Sequence, residues 1–412
     1  MSASPQEKHE PLAVLALPDF RRLLIARLFS TVALQIQSIA VGWQIYEVTK
    51  SPLSLGLIGL AEVLPAIAVA LYAGHIADIV DRKRILASVL IVLCACIGGL
   101  SMLSFAHLIP ALLCAMIYTL IAISGFARGF YMPSMFGLIA QIVPRNLYGN
   151  SSAWNSWVWQ GSAIGGPVLG GFLYTKFGAG WTYFASTLLI FIGFLCITGV
   201  KSKSDLSTAP KGPILESIQE GLRFVFSNQV VLGAMALDLF AVLFGGAVAL
   251  LPIFAAEVFH RGPEALGMLR AAPSIGAFTT ASFLAFRPIK AKAGAIFMIA
   301  VAGFGFCMIG FGLSKYFYLS MLLLALSGLC DGISIYVRNT IYLLNTPDDM
   351  KGRFAAVNSI FIGSSNEIGE FESGVMAKLM GTIPSVIFGG CATLLVVLIT
   401  AFRAPKLRKL DL

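Results

Sequence analysis

Long hydrophobic runs follow one another along almost the whole chain, and short stretches rich in proline, glycine or charge separate them. A helix needs about 20 apolar residues to cross the hydrocarbon core of a bilayer. Cutting at the polar breaks predicts twelve membrane-spanning helices, near residues 20–46, 53–79, 84–106, 110–143, 148–175, 180–200, 228–258, 263–287, 292–314, 316–346, 350–380 and 383–403. Several are longer than a bilayer requires, which predicts tilted helices or helices that extend beyond the membrane.

The pattern of small and polar residues occurs twice in the chain. The first copy runs over Ser124-Gly125, Arg128-Gly129, Pro144, Gly149, Asn155-Ser156, Gly166 and Gly171, and the second, with the same spacing, over Ser327-Gly328, Asp331-Gly332, Pro347, Gly352, Asn358-Ser359, Gly369 and Gly374. A shorter repeat aligns Leu28-Phe29 with Leu239-Phe240. Internal repeats in an apolar chain are typical of transporters, whose substrate site lies where the repeats meet.

One sizeable segment, residues 201–227, lies outside the predicted spans. It begins with polar residues and continues with apolar residues near helical spacing, Ile214, Leu215, Ile218, Leu222 and Phe226. This pattern predicts a short amphipathic helix at the membrane surface. We therefore predict an N-terminal six-helix bundle at 1–200, a cytoplasmic linker at 201–227 and a C-terminal six-helix bundle at 228–412, with no room for a soluble catalytic domain.

Composition supports the membrane interpretation. Hydrophobic residues make up 58% of the chain and charged residues 12%, against roughly 25% charged residues in soluble domains. The net charge of +9 comes from basic residues in short loops. We therefore expect the lipid bilayer, and not nucleic acid, as the surrounding partner.

The loops differ in their basic residues. One alternating set holds Arg21, Arg22, Arg82, Lys83, Arg84, Arg145, Lys201, Lys203, Lys211, Arg287, Lys290, Lys292, Lys351, Arg353, Arg403, Lys406, Arg408 and Lys409, whereas the other set holds Lys50, Lys176, Arg261, Lys315 and Lys378. Because basic loops stay on the cytoplasmic side, this asymmetry predicts a multi-pass protein with both termini in the cytoplasm.

The loop after the second predicted span reads Gly74-His-Ile-Ala-Asp78-Ile-Val-Asp81-Arg82-Lys83-Arg84. It resembles the signature loop of the major facilitator superfamily, G-x-x-x-D-(R/K)-x-G-R-(R/K), with Ile79 in place of the usual base and Asp81 in place of the usual glycine. The resemblance implies an all-α membrane protein with twelve helices in two pseudo-symmetric six-helix bundles. It also implies that Gly74, Asp78 and Arg82 form a latch between conformational states. The alternative is a basic cluster that only keeps the loop cytoplasmic.

Two further stretches strengthen the resemblance. The fifth predicted span contains Gly161, Gly165, Gly166, Pro167, Gly170 and Gly171. It resembles the G-x-x-x-G-P-x-x-G-G element associated with exporters of this superfamily, in which glycines allow tight helix packing and proline allows a bend. Residues 345–353 and 364–374, with the whole-length pattern, resemble the branch that includes the enterobactin exporters. Plain helix packing is the alternative interpretation of the glycine-rich span.

Charged residues within the predicted spans are candidates for function, because charge is costly at membrane depth. Arg27 and Arg128 in the first half occupy the repeat positions of Asp238 and Asp331 in the second half. The resemblance implies that their helices line a central cavity, so a basic wall would face an acidic one. Either an ion pair closes the halves or substrate separates the charges, and structural pairing alone remains open.

Three carboxylates are candidates for proton coupling. Glu367 and Glu370 lie at i and i+3, on one face of a helix. Two carboxylates so close cannot both ionise cheaply in a low dielectric, so one is expected to hold a proton near neutral pH. Glu62, in the middle of the second span, is the alternative proton carrier. Of the aromatic residues in the fourth and fifth spans, Phe130, Tyr131 and Trp154 are the candidates for stacking against a substrate.

These patterns favour a secondary active transporter of the bacterial inner membrane that works by alternating access. Proton-coupled export of a small amphipathic or siderophore-like molecule is the leading hypothesis. An importer, or a lipid or metal-chelate transporter working by uniport or with another coupling ion, is the alternative. An enzyme has little support, because the four histidines lie at or near loops and no metal or nucleophile motif is present. We expect a monomer without cofactor or metal.

Overall fold

The computed structural model describes residues 12–106, 108–201, 214–287, 289, 291–347, 350–408 and 410. These residues form a helical bundle without strands. The N-terminal half contains α1 Pro18–Thr49, α2 Pro52–Ile79, α3 Arg82–Phe105, α4 Pro110–Ile142 and α5 Tyr148–Thr198. The remainder contains α6 Ile214–Ser227, α7 Gln229–Gly245, α8 Pro263–Phe286, α9 Ala293–Leu313, α10 Phe317–Asn345, α11 Lys351–Met380, α12 Thr382–Arg403 and the short α13 Pro405–Arg408.

Helix starts follow local sequence signals. Proline begins α1, α2, α4 and α8, where its missing N–H is not needed and its fixed φ suits the first turn. Asp81 caps α3 by accepting a hydrogen bond from the Lys83 N–H at 2.9 Å. Asn228 caps α7 in the same way, through the Val230 N–H at 3.0 Å. The aspartate that departs from the signature loop therefore has a structural role as a helix cap.

The predicted break between the fifth and sixth spans is confirmed, because α5 consists of two helical arms that meet at the non-helical residue Gly178. At Gly178 the chain has φ 76° and ψ 178°, and the helix bends there between arms at 148–177 and 179–198. Glycine adopts this conformation without the strain that a Cβ would bring.

The predicted span 228–258 is present as a candidate membrane span, Gln229–Val258, but its helix is interrupted. α7 ends at Gly245, and short 3₁₀, α and π turns follow over Ala247–Val258. Gly246 leaves the helical region, with ψ at 82°. Its carbonyl instead accepts a hydrogen bond from the Ser373 hydroxyl at 2.8 Å. A partner on α11 thus satisfies a backbone group that the interrupted helix cannot.

The helices pack in two groups that meet along two seams. In the first group α1 packs on α5, α2 on α4, and α3 on α4 and α5; in the second, α8 packs on α10, α9 on α10 and α12, and α7 on α11 and α12. Contacts of α2 with α11 and of α5 with α8 join the groups. The predicted amphipathic segment forms α6, which packs on α7 and α11. The domain boundaries at 200 and 228 stay a prediction.

Nine helical segments of the described chain are long and apolar enough to cross a membrane. One of them, Arg145–Thr198, contains the bend at Gly178 and so supplies two arms. The charged helices α8 and α11 are not among the nine, so the total of twelve spans stays a prediction.

Candidate functional site

The bundle has two ends that differ in charge. The basic end carries Arg22, Arg82 and Arg145, and the opposite end carries Lys50 and the bend at Gly178. At the basic end, lysine and arginine side chains bind helix carbonyls. Arg82 donates to the Gly137 carbonyl at 3.1 Å, and Lys83 donates to the Thr198 carbonyl at 2.9 Å. These bonds fasten the start of α3 to α4 and to the end of α5.

The structure describes only part of the predicted latch. Gly74 and Asp78 stand in the last turns of α2, and their side-chain surroundings lie outside the described residues. Arg82 is described, and its bond to Gly137 is made within the first half. The latch role of the three residues therefore stays a prediction.

At the opposite end the halves touch through bare backbone. A Cβ added at Gly374 would lie 2.8 Å from the Cα of Gly56, and one added at Gly171 would lie 2.9 Å from the Cα of Glu264. Gly267 packs in the same way against the Pro167 carbonyl. We call the contacts of Gly56, Gly171, Gly267 and Gly374 the glycine seam, and it closes this end of the bundle.

The predicted packing role of the fifth-span motif holds for part of it in this conformation. Gly166 and Gly170 pack on α1, where added Cβ atoms would meet Gln35 at 2.5 Å and Ile36 at 3.1 Å. Gly171 and Pro167 belong to the glycine seam. Gly161 and Gly165 face open space, with no described atom within 4 Å of an added Cβ. Close packing at those two positions is therefore not present, because they lie on the side of α5 that turns away from its neighbours.

Two hydrogen bonds cross between the halves beside the glycine seam. The Tyr46 hydroxyl donates to Glu257 Oε1 at 2.6 Å, and the Thr175 hydroxyl donates to Glu264 Oε2 at 2.5 Å. Both acceptors are carboxylates, and hydrogen bonds to charged groups are stronger than those between neutral groups. The closed end is thus held by polar contacts as well as by backbone packing.

Inside the bundle, the arginines pair with carboxylates of their own half. Arg128 on α4 forms an ion pair with Glu62 on α2, and Arg338 on α10 forms one with Asp238 on α7. In this conformation Arg128 pairs with Glu62 and not with an aspartate of the second half, and the facing of a basic and an acidic wall stays a prediction. In both pairs the partner lies on another helix of the same half, which is the structural pairing that the sequence leaves open.

A charge cluster lies where α2, α4 and α11 meet. A Cβ added at Gly59 of α2 would lie 3.0 Å from the Glu367 carbonyl oxygen and 3.2 Å from the Glu370 Cβ. Both glutamates interact electrostatically with Arg128 across the boundary between the halves. Arg270 of α8 completes the cluster, with Nη2 at 3.8 Å from Glu370 Oε1.

Five residues therefore form what we call the charge cluster, Glu62, Arg128, Arg270, Glu367 and Glu370. The structure brings together all three carboxylates that the sequence singles out for proton coupling. Glu367 Oε2 is buried and has no hydrogen-bond partner among the described residues. The inclusion of Arg270 does not follow from the repeat pattern, because its partner belongs to another helix far along the chain.

Two cavities among the described helices bear on the predicted site, and Arg270 of the cluster lines the second. The first, of about 520 Å³, lies between α1, α4 and α5 and is lined by Arg27, Phe136, Tyr148, Ser151, Asn155 and Trp159, among others. The second, of about 190 Å³, lies in the second half and is lined by Asp238, Arg270, Cys330, Asp331, Ser334 and Asn366, among others. The larger volume is in the range of small-molecule sites, whereas the smaller one suits a few waters or a small group.

The predicted cavity residues divide between these places. Arg27 lines the first cavity, and Asp238 and Asp331 line the second. Phe130, Tyr131 and Trp154 line neither cavity. Phe130 packs on Phe126 at 5.6 Å between ring centroids, and the Tyr131 hydroxyl is bonded to the Ser30 hydroxyl at 2.7 Å.

Other aromatic residues, Tyr148 and Trp159, occupy the cavity wall instead. Aromatic content alone does not distinguish them from Phe130 and Trp154, because the direction of each side chain depends on how α4 and α5 rotate against α1.

Solved structures share this architecture. The POT family transporter PepTSo matches with a TM-score of 0.73 at 12% identity, covering 96% of this chain and 99% of that one. A D-xylose–proton symporter matches with a TM-score of 0.71 at 13% identity, covering 97% and 99%. At such identities the likeness establishes the fold alone. It is the major facilitator fold, as the signature loop predicts. The match of a family model to almost the whole chain makes the protein a multi-pass membrane transporter with this fold.

The family can be stated more closely. Residues 9–412 match the family model described as transmembrane secretion effector, and the chain belongs to that family. It is similar to the enterobactin exporter EntS of Citrobacter koseri, with 26% identity over 395 residues that cover 95% of this chain and 93% of the relative. EntS of Shigella boydii is 27% identical over 397 residues, with the same coverage.

Proposed function

We propose that this transporter exports a small amphipathic, siderophore-like molecule in exchange for protons, by alternating access of its two halves in a bacterial inner membrane. The observation that carries the proposal is the charge cluster at the contact between the halves. The direction of transport is supported by similarity, along nearly the whole chain, to proteins described as enterobactin exporters.

The charge count of the cluster favours proton binding. Glu62, Glu367 and Glu370 supply three carboxylates, and Arg128 and Arg270 supply two guanidinium groups. One carboxylate is therefore in excess, and an uncompensated charge is costly at membrane depth. A proton removes that charge when the halves are together, and its release accompanies their separation. Glu367 is the proposed carrier, because it combines an Oε2 without a hydrogen-bond partner in the described part of the bundle with a place beside Arg128. Glu372 Oε1 is equally unpartnered but lies outside the cluster.

Closure of one end and a cavity toward the other support alternating access. The glycine seam closes the end opposite the basic loops, and the first cavity includes Tyr148, the first residue of α5 at the basic end. If the basic end is cytoplasmic, as its charge predicts, substrate enters the cavity from the cytoplasm. Opening of the glycine seam then releases it on the other side.

The proposal is tested in proteoliposomes with an internal pH-sensitive dye and a panel of siderophores, metal chelates and lipophilic cations. We expect a substrate-dependent proton flux that Glu367→Gln abolishes. Glu372→Gln is the matched control, with the same substitution on the same helix outside the cluster, and it should retain the flux.

Three results would contradict the proposal. Uptake in place of efflux would identify an importer. Transport without proton movement would identify uniport or another coupling ion. Equal loss of flux in Glu367→Gln and Glu372→Gln would remove the special role of the charge cluster.

A further inference from the structure

Arg27 differs from the other arginines within the described membrane helices. Arg128, Arg270 and Arg338 each have a carboxylate partner. Arg27 is 6% exposed, and among the described residues it has no carboxylate within 4 Å and no hydrogen-bond partner for Nη1. A buried guanidinium without a partner is costly unless something else supplies one.

The cavity beside Arg27 supplies room for such a partner. It has a volume of about 520 Å³, and no aspartate or glutamate is among its described lining residues. Its polar wall consists of hydroxyl and amide groups from Ser151, Ser152, Asn155, Ser156 and Gln160. The Ser156 hydroxyl already donates to the Ser152 carbonyl at 3.0 Å, and the other groups can donate hydrogen bonds to an anion without repelling it.

The start of α5 adds a second positive contribution. Tyr148 and Ser151, in its first turn, line the cavity. The N-terminal end of a helix carries a partial positive charge, which favours an anion nearby. Arg27 and the start of α5 therefore act in the same direction on a ligand between them.

The remaining wall is aromatic. Phe136 and Trp159 line the same cavity, so a ligand with an acidic group and an aromatic or apolar body matches both surfaces. The second cavity offers the opposite chemistry in a smaller space, about 190 Å³ with Asp238 and Asp331 in its wall. Arg270 also lines that cavity, so its charge is mixed, and its two carboxylates disfavour an anion.

We infer that the cavity between α1, α4 and α5 receives the anionic head group of the transported molecule, with Arg27 as its ion-pair partner. The inference rests on the proposed transport function and narrows it, because neutral and cationic amphipathic molecules are then disfavoured as substrates. Arg27 is a binding residue in this scheme, and its missing partner is the substrate itself.

Three small probes of the same size separate charge from shape, namely benzoate, benzamide and benzylamine. Binding of each to the full chain in lipid nanodiscs is followed by tryptophan fluorescence, since Trp159 lines the cavity. We expect the wild type to bind benzoate at least about tenfold more tightly than the other two, as for a charge-assisted hydrogen bond in a buried site.

Substitutions at Arg27 then assign the preference. Arg27→Gln should abolish it, and Arg27→Lys should retain part of it, because lysine keeps the charge but not the planar fork. Arg84→Gln is the matched control, with the same loss of charge at the same end of the bundle on a side chain that is 84% exposed. It should bind benzoate like the wild type.

Equal binding of the three probes by the wild type would overturn the inference, even if Arg27→Gln fails to fold. Retention of the benzoate preference in a folded Arg27→Gln protein would also overturn it. Flux of a cationic or neutral substrate without any benzoate preference would refute the anion site and leave the transport function intact. A benzoate preference in a protein that moves no substrate would support the anion site and refute the proposed transport function.

Discussion

At the scale of residues, charges buried in this protein are paired mainly by helix neighbours within a half. The repeat in the sequence singles out Arg128 and Asp238 as candidate intramembrane charges. It does not indicate their partners, Glu62 and Arg338, because a repeat shows equivalent positions and not side-chain contacts. Charge at membrane depth can therefore be predicted from sequence, whereas the pairing depends on the rotation of each helix.

The Asp238–Arg338 pair provides a test at this scale. The two side chains are 10% and 7% exposed, so Asp238→Asn leaves a guanidinium buried without its counter-charge. Loss of one partner of a buried pair costs about 3–5 kcal/mol of stability. We expect a clearly lower thermal unfolding midpoint for purified Asp238→Asn in detergent.

The double variant Asp238→Asn/Arg338→Gln is the control for that experiment. Removal of both charges should restore most of the lost stability. A double variant as unstable as the single one would show that packing, and not charge compensation, determines the effect.

At the scale of elements, hydropathy predicts where helices occur but not where they are interrupted. The ends of α4, at Pro110 and Ile142, lie within a residue of the prediction, because proline and polar breaks mark them. α7 ends early at Gly245 since the carbonyl of Gly246 finds a partner on α11, which local sequence does not reveal. The break at Gly178 is the exception, because the lysine and glycines around it mark it in the sequence.

The bend at Gly178 provides the test for elements. An added Cβ there would meet no atom within 4 Å, so any cost of Gly178→Ala arises from the backbone alone. With φ at 76° and ψ at 178° we expect a loss of about 1–3 kcal/mol in unfolding free energy, measured by thermal unfolding.

Gly161→Ala is the matched control for the bend. Its added Cβ is equally free of contacts, but the residue is helical. It should be stabilised by about 0.5–1 kcal/mol, because alanine is the better helix former. If Gly178→Ala and Gly161→Ala changed the unfolding free energy equally, the cost at Gly178 could not come from its backbone conformation.

At the scale of the whole molecule, the halves are held together mainly at one end. The glycine seam and the Tyr46–Glu257 hydrogen bond lie at the end opposite the basic loops. Tyr46→Phe removes that bond while keeping the ring. Hydrogen bonds to charged groups contribute about 1.5–3 kcal/mol, so we expect the population opened at this end to rise at least about tenfold. Distances between spin labels at Lys176 and Lys378 would measure it.

Tyr174→Phe is the matched control for that population shift. The Tyr174 hydroxyl donates to Glu47 Oε2 at 2.7 Å, also at this end but within one half. Its removal should leave the distance distribution unchanged. An equal shift in both variants would contradict this prediction. It would mean that a hydrogen bond between the halves affects opening no more than a hydrogen bond within one half.

The earlier and later turns of α5 make different contacts. Its first turns line the cavity with Tyr148, Ser151 and Trp159, and its later turns supply Gly166, Gly170 and Gly171 to helix contacts. Substitutions over residues 148–160 can therefore alter what is recognised without disturbing how the protein moves. Homologues that transport different molecules should therefore differ over residues 148–160. They should keep glycine at the positions of Gly166, Gly170 and Gly171.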